Sequence, residues 1–287
     1  MTATPIRITT GDGFELGATE FLPDVTPRGV VVINAATAVR RRYYDRFAQY
    51  LASHGIAVLT YDYRGIGDSR PARLRGFNAT MAEWGELDQP AVVAHAAARY
   101  PDAPLLLVGH SVGGQIFGLL RDPQRVRRVL MVAAQHNYYG YWRPRERWAL
   151  WFLWRAFMPA VSHTLGFFPS RRVGLGEDLP RGVALDWARW CRSRGALVGV
   201  IGGDAPDRFA RYRGPVLALS FDDDHLFAPR AAVDALLAFY RNANTEHRHL
   251  TAGALGLRAV RHFGFFRESA RERGWPIALD WLSRELR

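Results

Sequence analysis

The sequence predicts an α/β architecture: a mostly parallel eight-stranded sheet flanked by helices, with a helical insertion after the sixth strand. Three observations lead there. Short apolar runs rich in Val, Ile and Leu alternate with helix-like stretches, the pattern of a parallel sheet covered on both faces. The chain has 287 residues, 48% of them hydrophobic, enough to bury a sizeable core in one large domain. Between residues 136 and 212 the alternation stops and the composition changes.

Taken in order, Pro5–Thr9 and Glu15–Phe21 flank the turn Gly11-Asp12-Gly13 and read as a hairpin. The repeating units follow. Strands Val30–Ala35 and Ala57–Tyr61 bracket a helix over Tyr44–His54, and a second helix spans Ala82–Arg99. Strand Leu105–Gly109 runs into a helix over Val112–Leu120, and Val129–Ala133 is the sixth strand. After the insertion come strand Val216–Ser220, a helix over Ala231–Arg241, strand His247–Leu250 and a last helix over Arg271–Arg284. Residues 1–135 and 213–287 are thus expected to form the core, with 136–212 a cap over the sheet's active end.

The insertion holds six of the nine tryptophans and 12 arginines against 6 acids. Its apolar runs Trp148–Trp154 and Ala156–Val161 surround Arg155, and Pro159 is expected to interrupt a long helix. Together they fall short of a membrane span of roughly 18 residues or more. They read first as a cap helix buried against the core; the second reading is an amphipathic lid that shows aromatics to lipid or to a hydrophobic substrate. Tyr138 and Trp142 are the candidate pocket residues.

All 38 basic residues are arginine, and against 27 acids they give a net charge of +11. Such a balance permits anionic partners. The arginines are scattered, however, and no helix-turn-helix or zinc-finger signature accompanies them, so nucleic-acid binding is not expected. The single cysteine, Cys191, excludes a disulfide framework, and no CxxC pair or His/Cys cluster offers a zinc site. The N-terminus lacks a basic segment followed by an apolar one, so a cytoplasmic location is expected.

The chemistry concentrates at Leu105-Leu-Leu-Val-Gly109-His110-Ser111-Val112-Gly113-Gly114, an apolar strand running through GxSxG into a helix. A serine on so sharp a turn needs tiny neighbours two residues to either side, which Gly109 and Gly113 supply. The N–H of Val112 is then placed to stabilise an oxyanion. A serine hydroxyl needs a base, and the base an orienting carboxylate. Downstream, Asp222, Asp223 and Asp224 follow the strand Val216–Ser220, and His262 lies in a loop before the last helix. Among the other histidines, His54, His95 and His110 read as packing or solvated residues, and His225, His247 and His249 as minor rivals for the base.

With the order Ser, Asp, His, the chain resembles the α/β-hydrolase fold proteins of the serine hydrolase superfamily, and is especially similar to bacterial hydrolases near the serine aminopeptidase branch. The loop Asp62-Tyr63-Arg64-Gly65-Ile66-Gly67-Asp68-Ser69 matches that family's D-x-R-G-x-G-x-S. Asp62 and Arg64 are read as structural, hydrogen-bonding backbone. Ile33-Asn34-Ala35-Ala36-Thr37 stands where relatives carry His-Gly, and the resemblance implies Ala36 as the second oxyanion donor. The family's strand, turn and acid reach Asp224; counted back from Pro229 the spacing is one residue longer, which keeps Asp223 as the alternative acid.

The resemblance implies a two-step acyl transfer to water by Ser111, His262 and Asp224, with no metal or organic cofactor, acting on a small-molecule acyl substrate. A carboxylic ester with a hydrophobic acyl group is the expected substrate. An aminopeptidase is disfavoured because Glu146, Glu177, Asp178, Asp186, Asp204 and Asp207 sit among twice as many arginines in the insertion. Two further readings are an acyltransferase and a non-catalytic binding protein of the same fold.

Overall fold

The computed structural model describes residues 1–284 and 286. The sheet comprises β1 (Thr2–Thr9), β2 (Glu15–Leu22), β3 (Val30–Asn34), β4 (Ala57–Tyr61), β5 (Leu105–His110) and β6 (Val126–Val132). A short antiparallel pair, β7 (Phe167–Phe168) and β8 (Leu179–Pro180), lies in the insertion, and β9 (Pro215–Phe221) and β10 (Asn244–Leu250) return to the sheet. The order is β1-β2-β4-β3-β5-β6-β9-β10. Only β1 with β2 and β2 with β4 run antiparallel; the six strands from β4 to β10 pair in parallel. Strands β3, β4 and β5 are buried along their whole length, which their unbroken Val/Ile/Leu runs require.

All eight expected sheet strands are present, and the expected helices differ in internal detail. The second helix runs Met81–Glu83, a π-helical turn Trp84–Asp88, then Gln89–Arg99. The insertion repeats this: helix Pro144–Phe152, π-turn Leu153–Phe157, helix Met158–Leu165. Each π-turn comes just before a proline, Pro90 or Pro159. Proline cannot donate to the carbonyl one turn back, and a widened turn lets the helix continue past it. Pro159 therefore does not end the helix, contrary to the sequence expectation.

Three further helices, Arg181–Arg192, Ala196–Ile201 and Ala205–Arg211, complete the segment between β6 and β9. Helix Arg181–Arg192 buries Val183, Ala184, Ala188, Trp190 and Cys191. Helix Pro144–Phe152 buries no residue. Trp148 is 74% exposed, and Trp151, Phe152 and Phe157 are exposed with it. The expectation of a buried helix here is thus overturned: Trp154 turns inward, but the stripe carrying Trp148, Trp151 and Phe152 points away from the core. Among the described residues no helix is long and apolar enough to cross a membrane.

The loop after β4 is locked by charge. Asp62, fully buried, accepts the N–H groups of Arg41 (2.7 Å) and Asp68 (3.0 Å) and pairs with the Arg41 guanidinium. Arg64 departs from its expected role. Its side chain reaches no backbone and instead meets three carboxylates, Asp88 at 2.7 Å, Asp12 at 2.8 Å and Glu83 at 3.3 Å. A planar guanidinium with five donors suits such a node, and this one ties the hairpin turn to the second helix.

Candidate active site

Strand β5 delivers Ser111 at φ 52°, ψ −118°, a conformation that costs a non-glycine residue of order 1–3 kcal/mol. The elbow around it admits no side chains. A Cβ on Gly109 would sit 2.5 Å from Gly114 Cα, and one on Gly113 would sit 2.3 Å from the Asn34 carbonyl oxygen. The Ser111 N–H donates to the Val132 carbonyl at 3.0 Å, fixing the turn to β6.

The three adjacent carboxylates after β9 separate by direction. Asp224 Oδ2 lies 2.7 Å from His262 Nδ1, and both residues are buried. Asp223 accepts the N–H groups of Val260 and Arg261, each at 2.7 Å, and so holds the loop that carries the histidine. Asp222 accepts the Ala252 N–H at 3.2 Å. A carboxylate only accepts, so the His262 proton sits on Nδ1 and leaves Nε2 as the basic nitrogen. Phe227 stacks on the His262 ring at 4.8 Å and Phe263 meets it edge-on at 5.0 Å. Ser111 Oγ and His262 Nε2 make no hydrogen bond to one another here; both residues line one cleft of about 670 Å³.

A hydrogen-bonded relay joins the two sides of that cleft. The Ala36 N–H donates to the Tyr44 hydroxyl (2.8 Å), which donates to His110 Nδ1 (2.8 Å), while His110 Nε2 donates to the His262 carbonyl (2.9 Å). The directions follow because the final acceptor is a carbonyl. Burial, and then the neighbouring His262, hold the His110 pKa well below the usual imidazole range, so the ring is neutral as the relay requires. His110 is therefore more than the packing residue its sequence position suggests. Tyr43 adds a parallel tie, donating to the Phe263 carbonyl at 2.6 Å.

The relay also engages the residue implied as second oxyanion donor. The N–H of Ala36 is committed to Tyr44, whereas among the described residues the Thr37 N–H has no partner, and Thr37 lines the cleft with Ser111 and Val112. Asn34, where the family pattern carries histidine, is fully buried: its amide nitrogen donates to Gln89 (2.6 Å) and to the Gly113 carbonyl (3.0 Å), and its oxygen accepts from Tyr61 (2.8 Å). Neither Asn34 nor Tyr44 carries a sequence signal, since the partners of the Asn34 side chain lie 27 to 79 residues away and Tyr44 joins Ala36, eight residues away, to His110, 66 residues away.

A second cavity of about 220 Å³ adjoins the cleft and shares Gln135, Leu175, Trp187 and Phe227 with it. Trp142, Leu150, Leu153 and Trp154 complete much of its wall, as does the thiol-bearing Cys191. Trp142 is thus in a pocket, its indole N–H held by the Leu226 carbonyl at 2.7 Å. Tyr138 is not: it lines neither cavity and packs on Tyr139 and Tyr141 instead. At the cleft mouth the Glu177 carboxylate is bound by Arg171 at 2.6 Å and Arg40 at 2.8 Å.

The rival histidines lie elsewhere. His225 is exposed in the turn after Asp224 and does not line the cleft. His247 and His249, on β10, both hydrogen-bond the Ser220 hydroxyl at 2.7 Å, and Asp234 meets His247 at 2.6 Å. That Asp–His–Ser arrangement has its serine fully buried within β9, out of reach of any substrate.

The description "Serine aminopeptidase, S33" belongs to the family model that matches residues 25–171. The monoacylglycerol lipase of Mycolicibacterium smegmatis is 36% identical over 94 residues, which is 33% of this chain and 32% of that lipase, so the match spans about a third of the relative's length. A soluble variant of the monoglyceride lipase of Saccharomyces cerevisiae, solved with a substrate analogue, superposes with a TM-score of 0.71 at 14% identity, covering 99% of this chain and 96% of that one. A thermostable carboxyl esterase of Bacillus coagulans superposes at 0.69 with 12% identity over the full length of both chains. At such identities the structural likeness speaks for the fold.

Proposed function

Since the chain belongs to the serine aminopeptidase S33 family of α/β hydrolases, we propose that it is a serine hydrolase that cleaves carboxylic esters through an acyl-enzyme on Ser111. The observation that carries this reading is the 2.7 Å contact of Asp224 with His262 Nδ1, in a cleft that His262 shares with a strained, cavity-facing Ser111. His262 Nε2 takes the Ser111 hydroxyl proton as Oγ attacks the ester carbonyl. The oxyanion accepts from the unpartnered N–H groups of Val112 and Thr37. Collapse breaks the C–O bond, and the alcohol departs with the proton from His262. Water then gives a proton to His262 as it attacks the acyl carbonyl, and collapse breaks the bond from the acyl carbon to Ser111 Oγ, which takes the proton back from His262 as the acid leaves.

The residues 136–212 act as a cap: Trp142, Trp154 and Trp187 enclose the smaller cavity, which takes a medium-length acyl chain. An ester fits better than an aminoacyl substrate. A free α-ammonium needs an uncommitted carboxylate, and the Glu177 carboxylate in the cleft wall is already held by the guanidiniums of Arg171, Arg40 and Arg70. The exposed Trp148, Trp151, Phe152 and Phe157, beside exposed Arg145, Arg147 and Arg155, suit contact with an anionic lipid surface from which such esters are drawn.

The test is turnover of ethyl and p-nitrophenyl esters from acetate to palmitate beside aminoacyl anilides, by wild type and Ser111→Ala, with fluorophosphonate labelling of both. Wild type should label and hydrolyse the medium-chain esters, and Ser111→Ala should do neither, its kcat lower by about 10⁴-fold or more. Anilide cleavage exceeding ester cleavage would return the aminopeptidase reading.

A further inference from the structure

Three buried amide side chains line the two adjoining cavities without, among the described residues, the partners that buried polar groups normally have. Gln115 Oε1, Gln135 Oε1 and both polar atoms of Asn137 make no hydrogen bond, although these residues are only 2%, 8% and 3% exposed. Their placement is not random. Gln115 and Gln135 line the cleft that holds Ser111 and His262, and Gln135 and Asn137 line the smaller cavity among Trp142, Leu150 and Trp154. Burying an amide unpaired destabilises a fold, and a chain with this many tryptophans and leucines in the same wall could have used an apolar side chain instead.

We propose that Gln115, Gln135 and Asn137 form a recognition subsite for a neutral hydrogen-bonding group on the acyl chain, so that esters of hydroxylated acids are preferred to those of plain alkanoic acids. This rests on the acyl-hydrolase reading of Ser111. The chemistry of the three side chains selects the class. Whichever way each amide is turned, it offers a donor on one side and an acceptor on the other, and none carries charge. A hydroxyl, which both donates and accepts, satisfies such a set. A carboxylate would confront the amide oxygens with no cation to neutralise it, because Arg40 is bound to Glu177 and Arg42 faces Asp68. The surrounding aromatic wall accommodates the methylenes on either side of that hydroxyl. Gln135, common to both cavities, marks where along the path from Ser111 the oxygen sits.

The experiment compares ethyl octanoate with its 3-, 5- and 7-hydroxy derivatives, by kcat/KM from pH-stat titration, in wild type, Gln135→Met and Asn137→Leu. Wild type should favour one hydroxy isomer over octanoate by about tenfold or more, since a site built to hydrogen-bond a hydroxyl rejects the analogue lacking it. In the two variants that ratio should collapse toward one. Equal kcat/KM for all four esters in wild type, or a ratio that both variants keep, overturns the subsite. If wild type hydrolyses none of them, the esterase reading fails separately, and the subsite is read on Ser111→Ala by quenching of tryptophan fluorescence with the same esters. There a hydroxy ester with Kd about tenfold below that of octanoate upholds it, and equal Kd values dispose of it.

Discussion

Asp223 and Asp224 are neighbours with opposite duties, one holding backbone and the other meeting an imidazole. Exchanging each for asparagine separates them. Asp224→Asn replaces an acceptor by a donor opposite His262 Nδ1, reverses the tautomer, and should lower kcat about 10⁴-fold with the fold unchanged. Asp223→Asn keeps one acceptor for two N–H groups; it should cost about 1–2 kcal/mol of stability by denaturant titration and far less activity. The strained serine yields a second expectation. Ser111→Gly and Ser111→Ala lack the same oxygen, but only glycine is relaxed at φ 52°, so the glycine variant should be the more stable by about 1 kcal/mol in urea unfolding. Much at this scale was legible in sequence: GxSxG singled out Ser111, and the distance from the strand end pointed to Asp224. The engagement of the Ala36 N–H was not legible, because nothing in the sequence says that the Tyr44 hydroxyl folds back onto it.

At the scale of elements, alternation of apolar runs announces each strand, because a strand buried on both faces has no polar position to hide it. The helices of the insertion were less readable. A run such as Trp148–Trp154 has enough apolar residues for either a buried or an exposed face, and only packing against helix Arg181–Arg192 decides that Trp154 turns in and Trp148 out. That outward stripe should act in partitioning. Trp148→Ser combined with Trp151→Ser is expected to weaken binding to anionic phosphatidylglycerol vesicles by about tenfold in sedimentation assays, and binding should weaken further as salt is raised. Neutral vesicles bound equally well, or a variant that sediments like wild type, would detach these tryptophans from lipid contact. The two π-turns were invisible for a different reason: a proline warns of a break, and nothing local says that the helix will widen and continue.

For the whole molecule, buried imidazoles and buried carboxylates pull in opposite directions in acid, Asp88, whose pKa burial raises to about 7, favouring the fold as pH falls. Burial pushes the pKa of His136 down to about 4, and that of His110 is lowered in the same sense. Each resists protonation in the fold more than it would in an unfolded chain, where the value is about 6.5. The stability they contribute is therefore complete above pH 6.5 and is lost as pH falls from there toward 4, by about 2–3 kcal/mol for His136. Urea midpoints of wild type and His136→Gln at pH 7, 6, 5 and 4 isolate the imidazole: wild type should lose ground relative to the variant across that window, and a difference constant from pH 7 to 4.5 would contradict the assignment. The wall of the smaller cavity has a consequence of another kind. Its Cys191 is the chain's single cysteine, and burial holds its thiol pKa well above the usual value. A disulfide-exchange reagent meets no competing thiol in the chain, and it reaches this one only when the wall parts. The rate of modification is thus an internal clock for the breathing of residues 136–212, which an occupant of the cavity would slow without any reporter group having to be attached.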